Sequence, residues 1–344
     1  MSGAVPEADR LNGAPAPREQ PRLVGHAEAR SLVREAWDAG KLPHALLLGG
    51  PEGVGKATFA YQVARFVLSG GNAPADSLDI DPAHPVFRQV AALAHPDLLV
   101  LRRTPNDNGR LPTFIPAETV RRVRSFFGST AALGGWRVCI VDTLDEVNAQ
   151  GANALLKTLE EPPDRSLFLL VSHAPGRLLP TIRSRCRMVP LRALSSAEVE
   201  SALGNLATSM PDLERERFGE AANASEGSVR AALTLLSGEG LAVRRSTTAL
   251  LGTLPNIDQK ALHALGDSLQ GDRSNALESF VSAVETWISD HATGRRHSPD
   301  LRLARLPEVW DKVRRAAIDA DVYNLDRKTL VFRIFATLSE AVRP

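Results

Sequence analysis

The sequence predicts an α/β fold with a parallel sheet, followed by a region that is all α-helical. Continuous apolar runs at 45–48, 136–142 and 167–172 have the composition of strands that are buried on both faces. Stretches with helical periodicity separate these runs, and this alternation is typical of a parallel sheet covered by helices. From Ser195 onward only helical patterns follow.

Changes in these patterns divide the chain into four parts. Residues 1–20 are rich in Ala, Pro and Gly, which predicts a disordered tail. We expect the α/β domain at 21–193 and two helical domains at 194–243 and 244–344. The Ser195–Glu198 spacing is that of a capping box, which predicts the first helix of the third part.

Composition restricts the possible function classes. Lys and Arg number 41 against 40 Asp and Glu, so any contact with nucleic acid requires a local basic patch. The basic stretches 121–124 and 295–297 are typical of solvated surfaces, with a contact to nucleic-acid phosphates as the alternative. Two cysteines, Cys139 and Cys186, cannot build a disulfide framework, which is typical of a cytoplasmic protein. No apolar run approaches the roughly 20 residues of a membrane helix, and the N-terminus does not resemble a signal peptide.

A glycine-rich turn after the first strand predicts a phosphate-binding loop. Gly50, Gly55 and Lys56 match the pattern G-x-x-x-x-G-K, and Gly53 lies inside it. Glycines allow several backbone N–H groups to point at one anion, and the following helix adds the partial positive charge of its N-terminus. Lys56 would bind the outer phosphates. A tight structural turn is the alternative, but the strand and helix on either side favour phosphate binding.

The position after the lysine differs from that of an ordinary ATPase. Ser or Thr is expected there because its hydroxyl binds Mg²⁺, but this chain has Ala57. Thr58 follows, but one residue along a helix turns the side chain by roughly 100°. Asp142 ends its strand where an acid typically positions Mg²⁺ and its waters. All three belong to the predicted nucleotide site, which leaves ATP turnover and Mg²⁺ binding open.

From about residue 21 to 235 the chain resembles the AAA+ clamp-loader family. The motifs are the glycine-rich loop, the 153–163 helix ending in Glu-Glu-Pro-Pro, the triplet Ser184-Arg185-Cys186, and the Gly-Ser-Val-Arg run that ends at Arg230. The triplet is the most specific, because few AAA+ families carry Ser-Arg-Cys after the third buried strand. The resemblance implies a RecA-like AAA+ domain, a helical lid and a C-terminal helical collar that packs in a ring of subunits.

The resemblance also implies roles for individual residues. Arg185 corresponds to an arginine finger, which reaches the ATP site of a neighbouring subunit and stabilises charge on the γ-phosphate. Pairing with a local carboxylate is the alternative for this arginine. Arg230 corresponds to the lid sensor that contacts the chain's own phosphates, and Ser172 to the first polar sensor. Val24 and Gly25 match the segment that lines the adenine.

Two departures from the family's motor subunits weaken the expectation of ATP hydrolysis. The motors carry Asp-Glu at the end of the second strand, and the Glu orients the attacking water. Here the Glu position is Thr143. Asp145 and Glu146 are near in sequence but begin the next helix, so we do not expect either to replace it. The chain thus lacks the hydroxyl that binds Mg²⁺, at Ala57, and the carboxylate that orients water, at Thr143. Positioning and electrostatic stabilisation supply nearly all of the catalysis in such sites, so we expect either loss to slow hydrolysis strongly.

Many family members also carry a zinc module with four cysteines between the two phosphate-site strands. This chain has no cysteine between Lys56 and Cys139. His84 and His95 alone would make a poor structural zinc site. We therefore predict no zinc, and a reduced loop near 70–95.

The resemblance thus implies a stator subunit of a bacterial clamp loader, within a replicative DNA polymerase holoenzyme. Its expected partners are the motor (gamma/tau) and delta subunits, the sliding clamp and, through the complex, primed DNA, in a hetero-oligomer without a membrane. The chain would not polymerise DNA, and it would hold ATP weakly or not at all. The alternative is an active AAA+ ATPase motor, supported by the intact loop, Asp142 and Arg230. A nucleotide-binding regulator outside replication is a weaker third possibility.

Overall fold

The computed structural model describes residues 7–11, 13–106, 111–270, 274–292, 308–313, 315–316 and 326–342. Contacts divide the chain into two compact units, the first made of Met1–Arg215 with Glu226–Arg230 and the second of Glu216–Ser225 with Ala231–Pro344. These limits differ from the predicted boundaries at 193/194 and 243/244, which stay predictions. The basic stretch 295–297 lies outside the described residues.

A parallel sheet organises the first unit. Its five strands lie in the order β2-β3-β4-β1-β5, and all neighbours are parallel. Their bounds are β1 (Ala45–Gly49), β2 (Leu98–Arg102), β3 (Arg137–Asp142), β4 (Ser166–Ser172) and β5 (Arg187–Pro190). Gly49 lies beside Ser172, and Arg102 beside Asp142. The carboxyl ends of the strands therefore meet at one edge, where the glycine-rich loop follows β1.

Helices cover both faces of this sheet, which confirms the predicted α/β class. Successive side chains of a strand point to opposite faces. Leu46 and Leu48 accordingly join a core with the first three helices, and Ala45 and Leu47 join a second core with the next two. The helices of this unit are α1 (Ala27–Asp38), α2 (Lys56–Leu68), α3 (Pro85–Ala91), α4 (Ala117–Gly128), α5 (Ala149–Glu160), α6 (Pro180–Arg183) and α7 (Ser196–Leu206).

The described part of the C-terminal region is helical, as the sequence predicts. Its core includes Phe280, Trp287 and Phe335, all buried. The helices are α8 (Phe218–Ala224), α9 (Val229–Leu236), α10 (Gly240–Leu251), α11 (Gln259–Ser268), α12 (Ser274–Ala292) and α13 (Arg327–Val342), and residues 308–313 are also helical. In the described ranges, every helix is too short or too polar to cross a membrane.

The prediction of a disordered tail over 1–20 is wrong for its described residues. Arg18 is buried, donates to the carbonyl of Ala91 and forms an ion pair with Glu7 at 2.9 Å. Arg102 of β2 binds the carboxylates of both Glu7 and Asp9. Composition did not predict an ordered segment, because the order depends on a few charged side chains. These side chains contact residues that are far away in the sequence, Ala91 and Arg102. The ion pairs hold the segment against the α/β domain.

Candidate nucleotide site and the Arg185 turn

Lys56 lies in the first turn of α2, directly after the glycine-rich loop. Its ammonium donates to the carbonyl of Gly50 at 2.7 Å and also to that of Pro51. The residue is only 3% exposed. Burial lowers the pKa of Lys56 to about 8, and the negative charge of Glu52 opposes this shift. The lysine is therefore a desolvated cation held inside its own loop.

The carboxyl end of β4 meets the turn that follows β3 through one aspartate. Asp145 accepts hydrogen bonds from Ser172 Oγ at 2.9 Å, from His173 N at 2.6 Å and from Ala174 N at 3.3 Å. Glu146 binds Arg103 at 2.8 Å. Both carboxylates thus have partners within the chain. Neither is placed as a free replacement for the missing water-orienting glutamate.

Asp142 ends β3 and Thr143 directly follows it, and both residues are buried. Burial raises the pKa of Asp142 to about 7, with further contributions from the negative charges of Asp9 and Glu146. Thr143 is 7% exposed, and its hydroxyl oxygen has no hydrogen-bond partner in the structure. A carboxyl group must lose its proton to bind a divalent cation, and the raised pKa adds to the cost of that step.

Two other segments pack on the loop. Val229 N donates to Gly53 O at 2.9 Å, and Arg230 Nε lies 3.4 Å from the Glu52 carboxylate. On another side, the His26 ring bonds to the carbonyl of Val54 at 2.8 Å. The predicted residues Val24 and Gly25 directly precede that histidine. The structure thus brings together the loop, Ser172, Arg230 and the 24–25 segment, and their role as one nucleotide site stays a prediction.

Arg185 lies outside this group, in the turn between α6 and β5. Its guanidinium binds Glu160 Oε1 of α5 at 2.8 Å and donates to the carbonyl of Thr181 at 2.8 Å. The side chain is 35% exposed, and that of Glu160 is 47% exposed. The local carboxylate considered as the alternative is therefore present. An exposed pair of this kind is worth little, about 0–1 kcal/mol, so the arginine can leave it readily.

The arrangement fits phosphates better than it fits a metal ion. Lys56, Arg230 and the N-terminus of α2 supply positive charge and donors around the loop. Ala57 offers no hydroxyl, and Thr58 lies one position further along α2. The described residues hold no group of three or more His, Cys, Asp or Glu suited to a metal. The predictions for Mg²⁺ and for zinc remain untested.

The segment near 70–95, predicted as a reduced loop, is only partly a loop. It contains α3, and His84 caps this helix by accepting a hydrogen bond from Val86 N at 3.2 Å. His95 is buried and accepts from Asp97 N at 3.1 Å. Both histidines therefore have local structural roles. The helix begins at Pro85 and ends at Ala91.

Some residues around the loop were not singled out from the sequence. Glu52 lies at the tip of the loop, and His173 follows Ser172 with its N–H bound to Asp145. Burial lowers the pKa of His173, and Lys56 acts in the same direction. His26 is buried against the loop. Position next to a motif was the available signal for Glu52 and His173, since each adjoins a predicted site residue.

Comparison with known proteins gives the same family as these motifs. A family model described as DNA polymerase III, delta subunit, matches residues 25–195. The delta' subunit of Pseudomonas aeruginosa is 36% identical over 203 residues, which is 59% of this chain and 58% of that protein. The delta' subunit of Escherichia coli is 31% identical over 67% of this chain and 65% of that protein. The gamma/tau subunit of Mycobacterium tuberculosis is 28% identical over 89% of this chain and 52% of its own length.

The chain thus spans a little over half the length of the first of these relatives. Among solved structures, a gamma subunit-related protein from Thermotoga maritima aligns over 92% of this chain and 99% of its own, with 16% identity and a TM-score of 0.42. That score is too low to bear on function. The family match rests on the α/β unit, which carries the loop and the Arg185 turn. The chain is thus similar to DNA polymerase III clamp-loader subunits, the delta-prime subunits among them.

Proposed function

We propose that this chain is a delta-prime-like stator of a bacterial clamp loader and that Arg185 acts in trans on the ATP site of a motor subunit. The observation that carries the proposal is the contrast at the end of β3. Asp142 is buried, Asp145 accepts three hydrogen bonds, and Glu146 is paired with Arg103. No carboxylate in this turn is available to orient a water, whereas Arg185 is exposed at the surface.

The loop retains the means to hold a phosphate without the means to cleave one. Lys56 and Arg230 would bind the phosphates, and Ala57 removes the hydroxyl that an ATPase uses for Mg²⁺. A nucleotide bound here would stabilise the folded chain but would not be hydrolysed. The chain would therefore bind ATP weakly or not at all, and its part in hydrolysis would be the positive charge of Arg185 in the neighbouring site.

The partners follow from the family. The chain would assemble with motor (gamma/tau) and delta subunits, and the complex would load the sliding clamp on primed DNA in the cytoplasm. It would use its predicted collar, 244–344, to join the ring, and the predicted lid, 194–243, to carry Arg230. The chain itself would not polymerise DNA.

The test is the stimulation that this chain adds to ATP turnover by its cognate motor subunit. Wild type is compared with Arg185→Ala, with Lys56→Ala, and with Arg183→Ala as a matched control two residues from the finger. Removal of an arginine finger lowers turnover at its site by about 10³-fold or more, so Arg185→Ala should abolish the stimulation. Lys56→Ala and Arg183→Ala should retain most of it.

The same experiment addresses the alternative motor function. An active ATPase would hydrolyse ATP alone, and Lys56→Ala would remove that activity. A stator would show only background turnover alone. Retention of full stimulation by Arg185→Ala would contradict the proposal, whatever the loop binds.

A further inference from the structure

Glu52 occupies the tip of the glycine-rich loop, where the 228–230 segment packs most closely. Gly53 has a φ of +76°, and a Cβ there would lie 2.1 Å from Ser228 Oγ and 2.6 Å from Arg230 Cβ. Val229 N also donates to Gly53 O at 2.9 Å. Only glycine permits this approach, because a side chain would clash and the positive φ would be strained. The packing places the Arg230 side chain over the loop.

The Arg230 guanidinium then meets the Glu52 carboxylate. Nε lies 3.4 Å from Oε1, and the two side chains are 37% and 62% exposed. The pair is local to the loop, since Glu52 is three residues before Gly55, the N-cap of α2. An exposed pair contributes little to stability, about 0–1 kcal/mol. The pair matters because it places a carboxylate in the loop, and its contribution to the stability of the fold is small.

The negative charge of the Glu52 carboxylate also acts on Lys56 and on His173. Burial lowers the pKa of Lys56, and Glu52 is the carboxylate that counteracts this most strongly, ahead of Asp142 and Asp145. Glu52 likewise favours the charged form of His173, whose pKa burial lowers. Glu52 is thus paired with Arg230, and its negative charge also acts on Lys56 and His173. These groups are the ones that a bound phosphate would need.

From this arrangement we infer that Glu52 is an internal competitor of nucleotide phosphates, which holds Arg230 and screens Lys56 and so sets a weak affinity of the loop for adenine nucleotides. The inference rests on the proposed role of the loop as a phosphate site. A phosphate that enters the loop must take Arg230 from Glu52 and must tolerate a like charge beside it. Removal of that charge should therefore strengthen binding.

The experiment measures binding of a fluorescent adenine nucleotide, mant-ADP, to the full chain. Glu52→Gln keeps the shape of the side chain and removes its charge, so we expect the dissociation constant to fall about threefold to tenfold. Glu118→Gln is the matched control, because Glu118 also forms an exposed pair with an arginine, Arg121, at 2.9 Å on α4. That variant should bind as wild type does. Thermal unfolding checks that all variants are folded.

A second comparison isolates the ion pair. In the Arg230→Ala background Glu52 has no arginine to pair with. The fold decrease in the dissociation constant caused by Glu52→Gln should therefore be less than half of the decrease seen in wild type. An equal gain in both backgrounds would show a general charge effect and would overturn the role of the pair. Unchanged, weaker or undetectable binding in Glu52→Gln would overturn the inference altogether. None of these outcomes affects the interpretation of the Arg185 experiment, because that experiment measures ATP turnover at the active site of the motor subunit.

Discussion

The glycine-rich loop buries its cation, Lys56, whereas the Arg185 turn leaves its cation partly exposed to solvent. Lys56 is 3% exposed and bonds to carbonyls of its own loop, and Asp142 nearby is also buried. Arg185 is 35% exposed and pairs with a carboxylate that is itself half in solvent. Buried charges shift in pKa and cost stability, whereas exposed ones do neither to a large extent. We therefore expect changes in the loop to alter folding and changes at Arg185 to alter a partner.

The largest expected effect comes from Arg185→Lys. Lysine keeps the charge but loses the planar fork that binds phosphate oxygens through paired hydrogen bonds. We expect the part of motor turnover that depends on this residue to fall by about 10³-fold, or about 4 kcal/mol in the barrier. The measurement is the stimulation of motor ATPase, with the melting temperature as a check on folding. A lysine variant with near wild-type stimulation would mean that charge alone is sufficient.

Asp142→Asn should produce the next largest effect, and it should appear in stability. Because the native pKa of about 7 lies above the ordinary 3.8, the folded chain binds more protons than the unfolded chain between these values. Wild-type stability therefore falls as pH rises through that window, and an asparagine escapes this loss. Relative to wild type, the variant should gain about 3 kcal/mol between pH 4 and pH 7.5.

Urea unfolding at the two pH values measures this gain. Asp164→Asn, at an exposed position before β4, serves as the control and should show little change. If the difference between Asp142→Asn and wild type is the same at both pH values, the buried carboxyl does not titrate as described.

The sequence predicted those elements of the fold that depend on a local pattern of residues. The glycine-rich loop, the buried strands and the capping box at Ser195 all depend on neighbours within a few positions, and these predictions agree with the structure. The short edge strand β5 was missed because its exposed residues, among them Arg187 and Met188, hide the apolar pattern. Only Val189 is buried there, so no run or alternation could be detected.

Contacts between distant charged residues were the other limit. Arg102 and Asp9 are far apart in sequence, as are Arg230 and Glu52, and neither pairing has a local signature. The candidate site was therefore predicted as a set of motif positions, and the partners that hold those positions were not. The tail prediction failed for the same reason, because Arg18 and Arg102 fix a segment whose composition alone favours disorder.

A smaller effect, of opposite sign to that of Asp142, is expected for Lys56. Its native pKa of about 8 lies below the ordinary 10.5, so the unfolded chain binds more protons between these values. Stability of wild type relative to Lys56→Met should rise with pH, by about 2 kcal/mol between pH 7 and pH 10. Denaturation at both pH values tests this, and a constant difference would show that Lys56 is better solvated than its burial indicates.

Glu160→Gln should have the smallest effect. The exposed pair with Arg185 is worth about 0–1 kcal/mol, so we expect a change in unfolding free energy within that range. Stimulation of the motor should change by less than about threefold, because the proposed action in trans requires Arg185 to leave Glu160. A loss as large as that in Arg185→Ala would mean that Glu160 orients the finger, and the contrast between the two regions would then be smaller.

The glycines of the loop also bear on how such chains change over evolutionary time. A Cβ at Gly50 would lie 2.0 Å from the carbonyl oxygen of Leu191, and one at Gly53 would meet Ser228. Both glycines are thus required by internal packing. Selection for a stable fold alone would preserve them in a lineage whose loop had lost its nucleotide, while Lys56 and the residue after it drifted. In this chain, internal packing is sufficient to explain the two glycines, so their presence alone is a poor marker of ATP binding.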